Sequence, residues 1–206
     1  MKENGFLLMI IDFPMISHIK RCGVLNIEEH QRLMSKKIKM KFLKIKPFQE
    51  TLHKGYCGPA VLKMVLKYYG VEKSEKELAK LTSTTQVGWT DDKALVKVLK
   101  KFGLKAKIKN NGSFSDIKKN LEKEIPVIVD WFTKGRKDYP ETTVADGHYS
   151  IVVGLDKKFI YLQDPEIGKL RKLAKDDFLR VWFDYVGEFL SSPKQMIIRQ
   201  LIAVYK

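Results

Sequence analysis

From residue 57 onward the chain uses two hydrophobic periods, and the change between them falls near Pro126. Val61, Leu62, Val65, Leu66 and Tyr69 recur at helical spacing after Cys57-Gly58-Pro59, and Gly70 closes the stripe. Proline suits the first turn of a helix, where its missing N–H has no intrahelical partner. The pattern predicts a buried helix with Cys57 at its amino end. Ser74 caps a second, short helix through Leu81. Thr90-Asp91-Asp92 opens a third, with Leu95, Val98, Leu99 and Phe102 on one face and Lys93, Lys97, Lys100 and Lys101 on the other. Gly103 ends it, residues 104–109 alternate like a strand, and Ser113 or Ser115 caps a helix ending near Glu124.

Beyond Pro126 the pattern is that of a sheet. Residues 127–132 form a nearly continuous apolar run, and residues 148–155 and 159–163 predict two strands around Asp156-Lys157-Lys158. Asp164-Pro165-Glu166-Ile167-Gly168 has the composition of a turn. Residues 176–185 predict a helix with Phe178, Leu179, Trp182 and Phe183 inward, and residues 197–205 a closing strand. Alternation over residues 40–47 predicts a first strand. Helices first and antiparallel strands later make an α+β layout, not a chain of βαβ units. Residues 1–40 share none of this organisation. They are read as an N-terminal extension, loosely attached or preceding a natural start at Met40, and residues 41–206 as one domain.

Composition narrows the function classes. With 44% hydrophobic and 31% charged residues over 206 positions, the chain can fold around one core. The net charge of +15 first suggests anionic partners. The excess is spread along the chain and dominated by lysine, with no arginine-rich arm and no basic stripe interleaved with aromatics. It reads as a solvated surface, and no nucleic-acid partner is expected. Two cysteines build neither a disulfide framework nor a zinc cluster, and no metal or organic cofactor is expected. The apolar run at residues 6–11 is broken by Asp12. It is too short for a bilayer span, which takes roughly 20 residues, and lacks the flanks of a signal peptide. A cytoplasmic, reducing setting is expected; the oligomeric state is not legible.

Four residue types then form a chemical pattern. A thiol attacks as thiolate, which the free N–H groups and dipole of a helix amino end favour; Cys57 has that place. It needs a base, and the chain offers His18, His30, His53 and His148. The first two fall in the extension and His53 in a polar loop. His148 opens an apolar strand, where a histidine has no packing reason to be. The base needs an orienting group, and Asp164 ends the next strand. With a three-residue loop at 156–158, residues 148 and 164 face the same side as diagonal neighbours. A two-residue loop puts them on opposite sides, so the pairing requires an odd-length connection or a bulge. The Cys57 N–H, with the side-chain amide of Gln49, can serve an oxyanion. Singly, each residue has a structural explanation: a small buried thiol, a strand histidine, a turn aspartate.

In this order the residues resemble the double-glycine leader (bacteriocin-processing) peptidases, a branch of the papain-like cysteine peptidases. The matching text is Gln49, then Tyr56-Cys57-Gly58-Pro59-Ala60-Val61-Leu62-Lys63-Met64-Val65-Leu66-Lys67-Tyr68-Tyr69-Gly70, then Gly147-His148-Tyr149-Ser150-Ile151-Val152-Val153-Gly154, then Asp164-Pro165-Glu166-Ile167-Gly168, with Phe178 and Trp182 beyond. The resemblance implies a papain-like fold, with a nucleophile helix packed on an antiparallel sheet. It implies Cys57 as nucleophile, His148 as base, Asp164 as orienter and Gln49 as oxyanion donor. Gln49 lies eight residues before Cys57, farther than is usual in the family. Without a membrane span or a Walker-type phosphate loop, the chain is similar to the stand-alone members rather than to the exporters. The implied activity is hydrolysis of a peptide bond in a peptide or protein substrate. Acyl transfer or deamidation by the same triad is one alternative, and a non-catalytic peptide-binding module is another.

Overall fold

The computed structural model describes residues 42–52, 55–85, 89–133, 136, 147–187 and 190–206. The chain divides between Lys39 and Met40 into two units, and every described residue belongs to the second. The expected extension therefore lies outside the described residues, together with its Cys22, His18 and His30, and so does His53.

Among the described residues, five α-helices and eight strands follow one another: α1 (Cys57–Tyr68), α2 (Glu75–Thr82), α3 (Asp92–Lys101), β1 (Lys105–Lys109), α4 (Phe114–Glu122), β2 (Val127–Phe132), β3 (Gly147–Leu155), β4 (Phe159–Asp164), β5 (Lys169–Ala174), α5 (Lys175–Val181), β6 (Phe183–Tyr185), β7 (Met196–Ile198) and β8 (Leu201–Tyr205). Six strands form one antiparallel sheet in the order β1-β8-β2-β3-β4-β5, and β6 pairs with β7. This is the expected α+β class. The helix starts follow local chemistry. Ser74 and Ser113 each close a capping box, with Glu77 and Asp116, and Asp91 caps α3. None of the described helices is long and apolar enough to cross a membrane.

The central strands explain the continuous apolar runs. Val127, Ile128, Val129 and Trp131 of β2 and Ile151, Val152 and Val153 of β3 are all buried, because helices cover the sheet. Helix α1 packs on β3 and against α2 and α3, while α4 packs on β2 and β3. Phe178 and Trp182 are buried and stack around Trp131 and Phe114. The edge strand β1 is mostly exposed and carries Lys105, Lys107 and Lys109, charges that discourage pairing with a further strand.

The β3–β4 hairpin meets the parity condition by the bulge and not by the loop. Leu155 pairs with Ile160 and Gly154 with Tyr161, so the connection is four residues long. Between Gly154 and Val152 the register shifts by one, and Val152 pairs with Leu162 and Ile151 with Gln163. Val153 is the extra residue of a β-bulge. Its carbonyl accepts the Leu43 N–H at 2.8 Å, and a side chain on Gly154 would strike the Phe42 ring, 2.6 Å from the nearest ring carbon. The bulge returns His148 and Asp164 to one face.

Other expectations change. Residues 42–46 are not a ladder strand, although Leu43 and Ile45 alternate inward as expected and Ile45 accepts from the Gln163 amide at 2.9 Å. The helix expected over 176–185 ends at Val181, because Phe183–Tyr185 pairs with β7 instead. Trp182 and Phe178 are buried as expected, whereas Leu179 is exposed and Phe183 stacks on Phe132. The closing strand splits at Arg199, which takes a left-handed backbone (φ 47°). β5 was missed, since Lys169-Leu-Arg-Lys-Leu-Ala174 has a lysine-rich edge composition.

The amino end of α1 is packed without slack. A Cβ on Gly58 would lie 2.2–2.6 Å from three side-chain atoms of Thr90, and Thr90 is fixed by a hydroxyl chain through Thr84 to Thr82. Gly58→Ala is expected to lose about 1–3 kcal/mol by overpacking. Gly58→Ala combined with Thr90→Gly should cost clearly less than the two single changes added. Strict additivity in denaturant melts would show that the contact does not constrain this helix end.

Candidate active site

Cys57 is buried at the first position of α1, and no side chain caps that end; Tyr56 precedes it with φ −88° and ψ 23°. The N–H groups of a helix's first turn have no intrahelical acceptor and carry the positive end of its dipole.

His148, also buried, stands at the start of β3 with Nε2 2.7 Å from Asp164 Oδ1. Cys57 is close enough to the same ring to act on its protonation by charge and hydrogen bonding, and with Nε2 engaged by Asp164 the nitrogen left for it is Nδ1. Burial works to lower the imidazole pKa. The charge and hydrogen bond of Asp164, with those of Cys57, outweigh it and hold the pKa well above its ordinary value. Trp131 lies directly across from His148 in the β2–β3 ladder and meets its ring edge-on, centroids 5.7 Å apart. The Trp131 Nε1–H donates to Ser150 Oγ at 3.1 Å, which fixes the indole.

Asp164 has no exposed surface. Its Oδ1 accepts from His148 and from the Glu166 N–H at 2.9 Å, and its Oδ2 accepts from Arg171 Nε. Burial alone would raise its pKa; His148 and Arg171, by charge and hydrogen bond, hold it well below the usual carboxylate value. Arg171 Nη2 also reaches Glu166 Oε2 at 2.9 Å, and Arg136 Nη1 reaches the same oxygen at 2.7 Å. Arg136 sits over the Trp131 ring, 5.5 Å from its centroid. His148, Asp164 and Glu166 bring ligand atoms within 4.8 Å of one another, as a metal site would. Two guanidinium groups already neutralise these carboxylates, and they would repel a cation.

The structure thus brings Cys57, His148 and Asp164 together. Gln49 it places elsewhere: the side chain is exposed, Nε2 donates to the Glu166 carbonyl at 3.3 Å, and its Cβ packs on the turn at Gly168. Its neighbour Glu50 faces inward. Burial raises the Glu50 pKa to about 7 against the opposing charge of His148 and a hydrogen bond from the Gly55 backbone, and its Oε2 has no partner. Thr51 is engaged by Glu75, its hydroxyl 2.5 Å from Oε2. Sequence reasoning missed Glu50, Arg171 and Arg136. An arginine seven residues after Asp164, across a turn, is a faint signal that becomes visible only once β5 is known.

Residues 42–188 match the Peptidase_C39 like family. The chain belongs to this family. The lactococcin-A transport/processing ATP-binding protein LcnC of Lactococcus lactis is 32% identical over 156 residues, which are 74% of this chain and 20% of that protein. An uncharacterized protein of Methanothermobacter thermautotrophicus is 32% identical over 127 residues, 61% of this chain and 75% of its own length. The chain spans only 18% and 20% of two lactococcin transport/processing relatives. Among solved structures, the peptidase domain of Streptococcus ComA, a bi-functional ABC transporter, superposes with a TM-score of 0.55 at 21% identity, covering 78% of this chain and 98% of that domain. A double glycine motif protease from an AMS/PCAT transporter, in complex with the leader peptide, gives 0.54 at 20% identity, with 81% and 95% covered. These likenesses establish the papain-like C39 peptidase fold.

The buried ion chain has a pH signature. A carboxyl whose folded pKa is depressed contributes stability that is complete above its unfolded value of about 3.9 and is lost as pH falls. A histidine whose folded pKa is raised contributes below about 6.5 and loses that contribution as pH rises through the folded value. Urea unfolding should therefore weaken between pH 5.5 and pH 3 more in the wild type than in Asp164→Asn. Equal losses in the two proteins would mean that Asp164 is not held by this network.

Proposed function

We propose that the chain is a cysteine peptidase in which Cys57 is the nucleophile, His148 the base and Asp164 the group that orients it. The observation carrying this reading is the convergence of the three: a thiol at a helix end without a side-chain cap, an imidazole close enough to feel it, and a buried carboxylate 2.7 Å from Nε2 of that ring. The thiol proton passes to His148 Nδ1, and the sulfur attacks the scissile carbonyl. The Cys57 backbone N–H faces the oxyanion that forms. His148 returns the proton to the leaving amine, leaving a thioester. A water deprotonated by His148 then releases the acid and frees the thiol. Asp164 keeps one tautomer and balances the imidazolium, while Arg171 and the Glu166 N–H hold Asp164 itself.

Family membership supports a peptide or protein substrate. The names of the relatives, transport/processing proteins, and the leader peptide bound by the double glycine motif protease favour a precursor peptide. As the Gln49 amide is engaged at the Asp164–Gly168 turn, it would have to leave the Glu166 carbonyl to reach an oxyanion.

Incubation with a peptide library and mass spectrometry of the products tests the proposal, because hydrolysis and acyl transfer leave different masses. Cleavage should fall to background in Cys57→Ser and His148→Ala, and Asp164→Ala should retain a fraction. A true oxyanion donor is worth about 100- to 1000-fold in turnover, so Gln49→Ala is expected to lose less than tenfold. Full cleavage by Cys57→Ser would end the thiol mechanism. A loss of 100-fold or more in Gln49→Ala would return the oxyanion role to that residue.

A further inference from the structure

The segment before α1 turns one side chain toward the reacting groups and keeps its two neighbours away from them. Gln49 and Thr51 are exposed and have partners of their own: the Gln49 amide donates to the Glu166 carbonyl, and the Thr51 N–H and hydroxyl donate to the Glu75 carboxylate. Between them the Glu50 N–H donates to the Pro165 carbonyl at 2.9 Å, which ties this backbone to the turn after Asp164. The Glu50 side chain faces inward, and its Oε2 is buried without a hydrogen-bond partner. Gly55, in a left-handed backbone (φ 90°), brings its N–H close enough to act on the same carboxyl by hydrogen bonding. Gly55 lies two residues before Cys57 and lines with it a cavity of about 300 Å³. The charge of His148 also reaches Glu50. The carboxyl therefore sits between the approach to the nucleophile and the base.

The groups around it favour a carboxyl that keeps its proton. Those facing it are His148 of β3, Glu166 of the turn after β4 and Glu75 of α2. Burial is the largest influence and opposes ionisation, as do the two glutamates; His148 and the Gly55 N–H favour it, and the balance leaves the pKa at about 7. An imidazolium at His148 already has its counter-charge in Asp164, 2.7 Å away, so a second carboxylate is not needed there. A neutral carboxyl has what a carboxylate lacks, an O–H that donates. A buried polar oxygen without a partner carries a free-energy cost, which an acceptor arriving only during the reaction would relieve.

We infer that Glu50 is a further catalytic residue of this site, its carboxyl O–H donating to the oxyanion beside the Cys57 N–H. The inference rests on the reading of Cys57 as a nucleophile toward a carbonyl. As the sulfur bonds to the carbonyl carbon, the carbonyl oxygen takes up the electron pair and accepts from both donors. Glu50 keeps its proton throughout, and the electron pair returns when the leaving group departs. Above about pH 7 Glu50 ionises, so the donor is lost and the carboxylate repels the oxyanion.

The test compares two reagents on the full chain, with the modified residue mapped by mass spectrometry. The ester p-nitrophenyl acetate acylates a thiolate through an oxyanion and releases p-nitrophenolate; iodoacetamide alkylates the same thiolate without one. At pH 6, Glu50→Ala should slow acylation of Cys57 by at least tenfold and leave alkylation within about threefold of wild type. Glu50→Gln, which keeps a side-chain donor, should recover most of that loss. In the wild type the ratio of acylation to alkylation should fall by at least tenfold from pH 6 to pH 8.5, and in Glu50→Gln by less than about threefold. This second comparison decides the matter should Glu50→Ala not melt cooperatively. Normal acylation in Glu50→Ala, a parallel fall of both reactions, or a wild-type ratio that holds or rises with pH would each overturn the inference. Any of these with Cys57 acylated in the wild type removes the Glu50 role alone, whereas a wild-type Cys57 that is not acylated removes the nucleophile and this inference together.

Discussion

One extra residue in β3 determines where His148 points. Side chains alternate across a strand, so a hairpin of even loop length and perfect register would put His148 and Asp164 on opposite faces. The bulge at Val153 shifts the ladder by one and returns both to the same face. The bulge is held from outside the hairpin, by the Leu43 N–H on the Val153 carbonyl and by Phe42 lying against Gly154. The segment before α1 thus helps to set the geometry of two strands far along the chain. The ion chain Arg171–Asp164–His148, the contact with Cys57 and the chemistry proposed for them all follow from this register.

Charge is gathered behind His148. Around Asp164, two arginines balance two carboxylates, and the resulting low carboxyl pKa keeps a negative charge permanently behind His148. Buried charge is tolerated where it is fully paired and costs free energy where it is not. The arrangement around Asp164 is internally complete.

The parts of the site that depend on local chemistry were legible in the chain. The stripe behind Cys57-Gly58-Pro59 gave α1 its place, and Ser74, Asp91 and Ser113 marked helix starts that the structure keeps. His148 stood out as a polar residue opening an apolar strand, and the parity condition on Asp164 could be written down before its solution by a bulge was known. What escaped depends on contacts distant in sequence. β5 has an edge-strand composition too polar to show a period, so Arg171 had no position. The sequence does not tell which way a loop turns, and Glu50 rather than Gln49 faces inward because the chain is pinned by the Glu50 N–H on the Pro165 carbonyl. Asp184 was assigned to a helix, since the pairing of β6 with β7 that ends that helix involves a segment more than ten residues later.

The central claim is that Cys57 and His148 share a proton under the permanent charge of Asp164. The rate of Cys57 alkylation by iodoacetamide across pH, mapped by mass spectrometry in the wild type and in Asp164→Asn, tests it most directly. An isolated thiol with a pKa near 8.5 reacts on the order of 100-fold more slowly at pH 6 than at pH 8.5. The account predicts that at pH 6 the wild-type thiol reacts at least tenfold faster than the same thiol in Asp164→Asn. A steep dependence in the wild type, unchanged by Asp164→Asn, would contradict it.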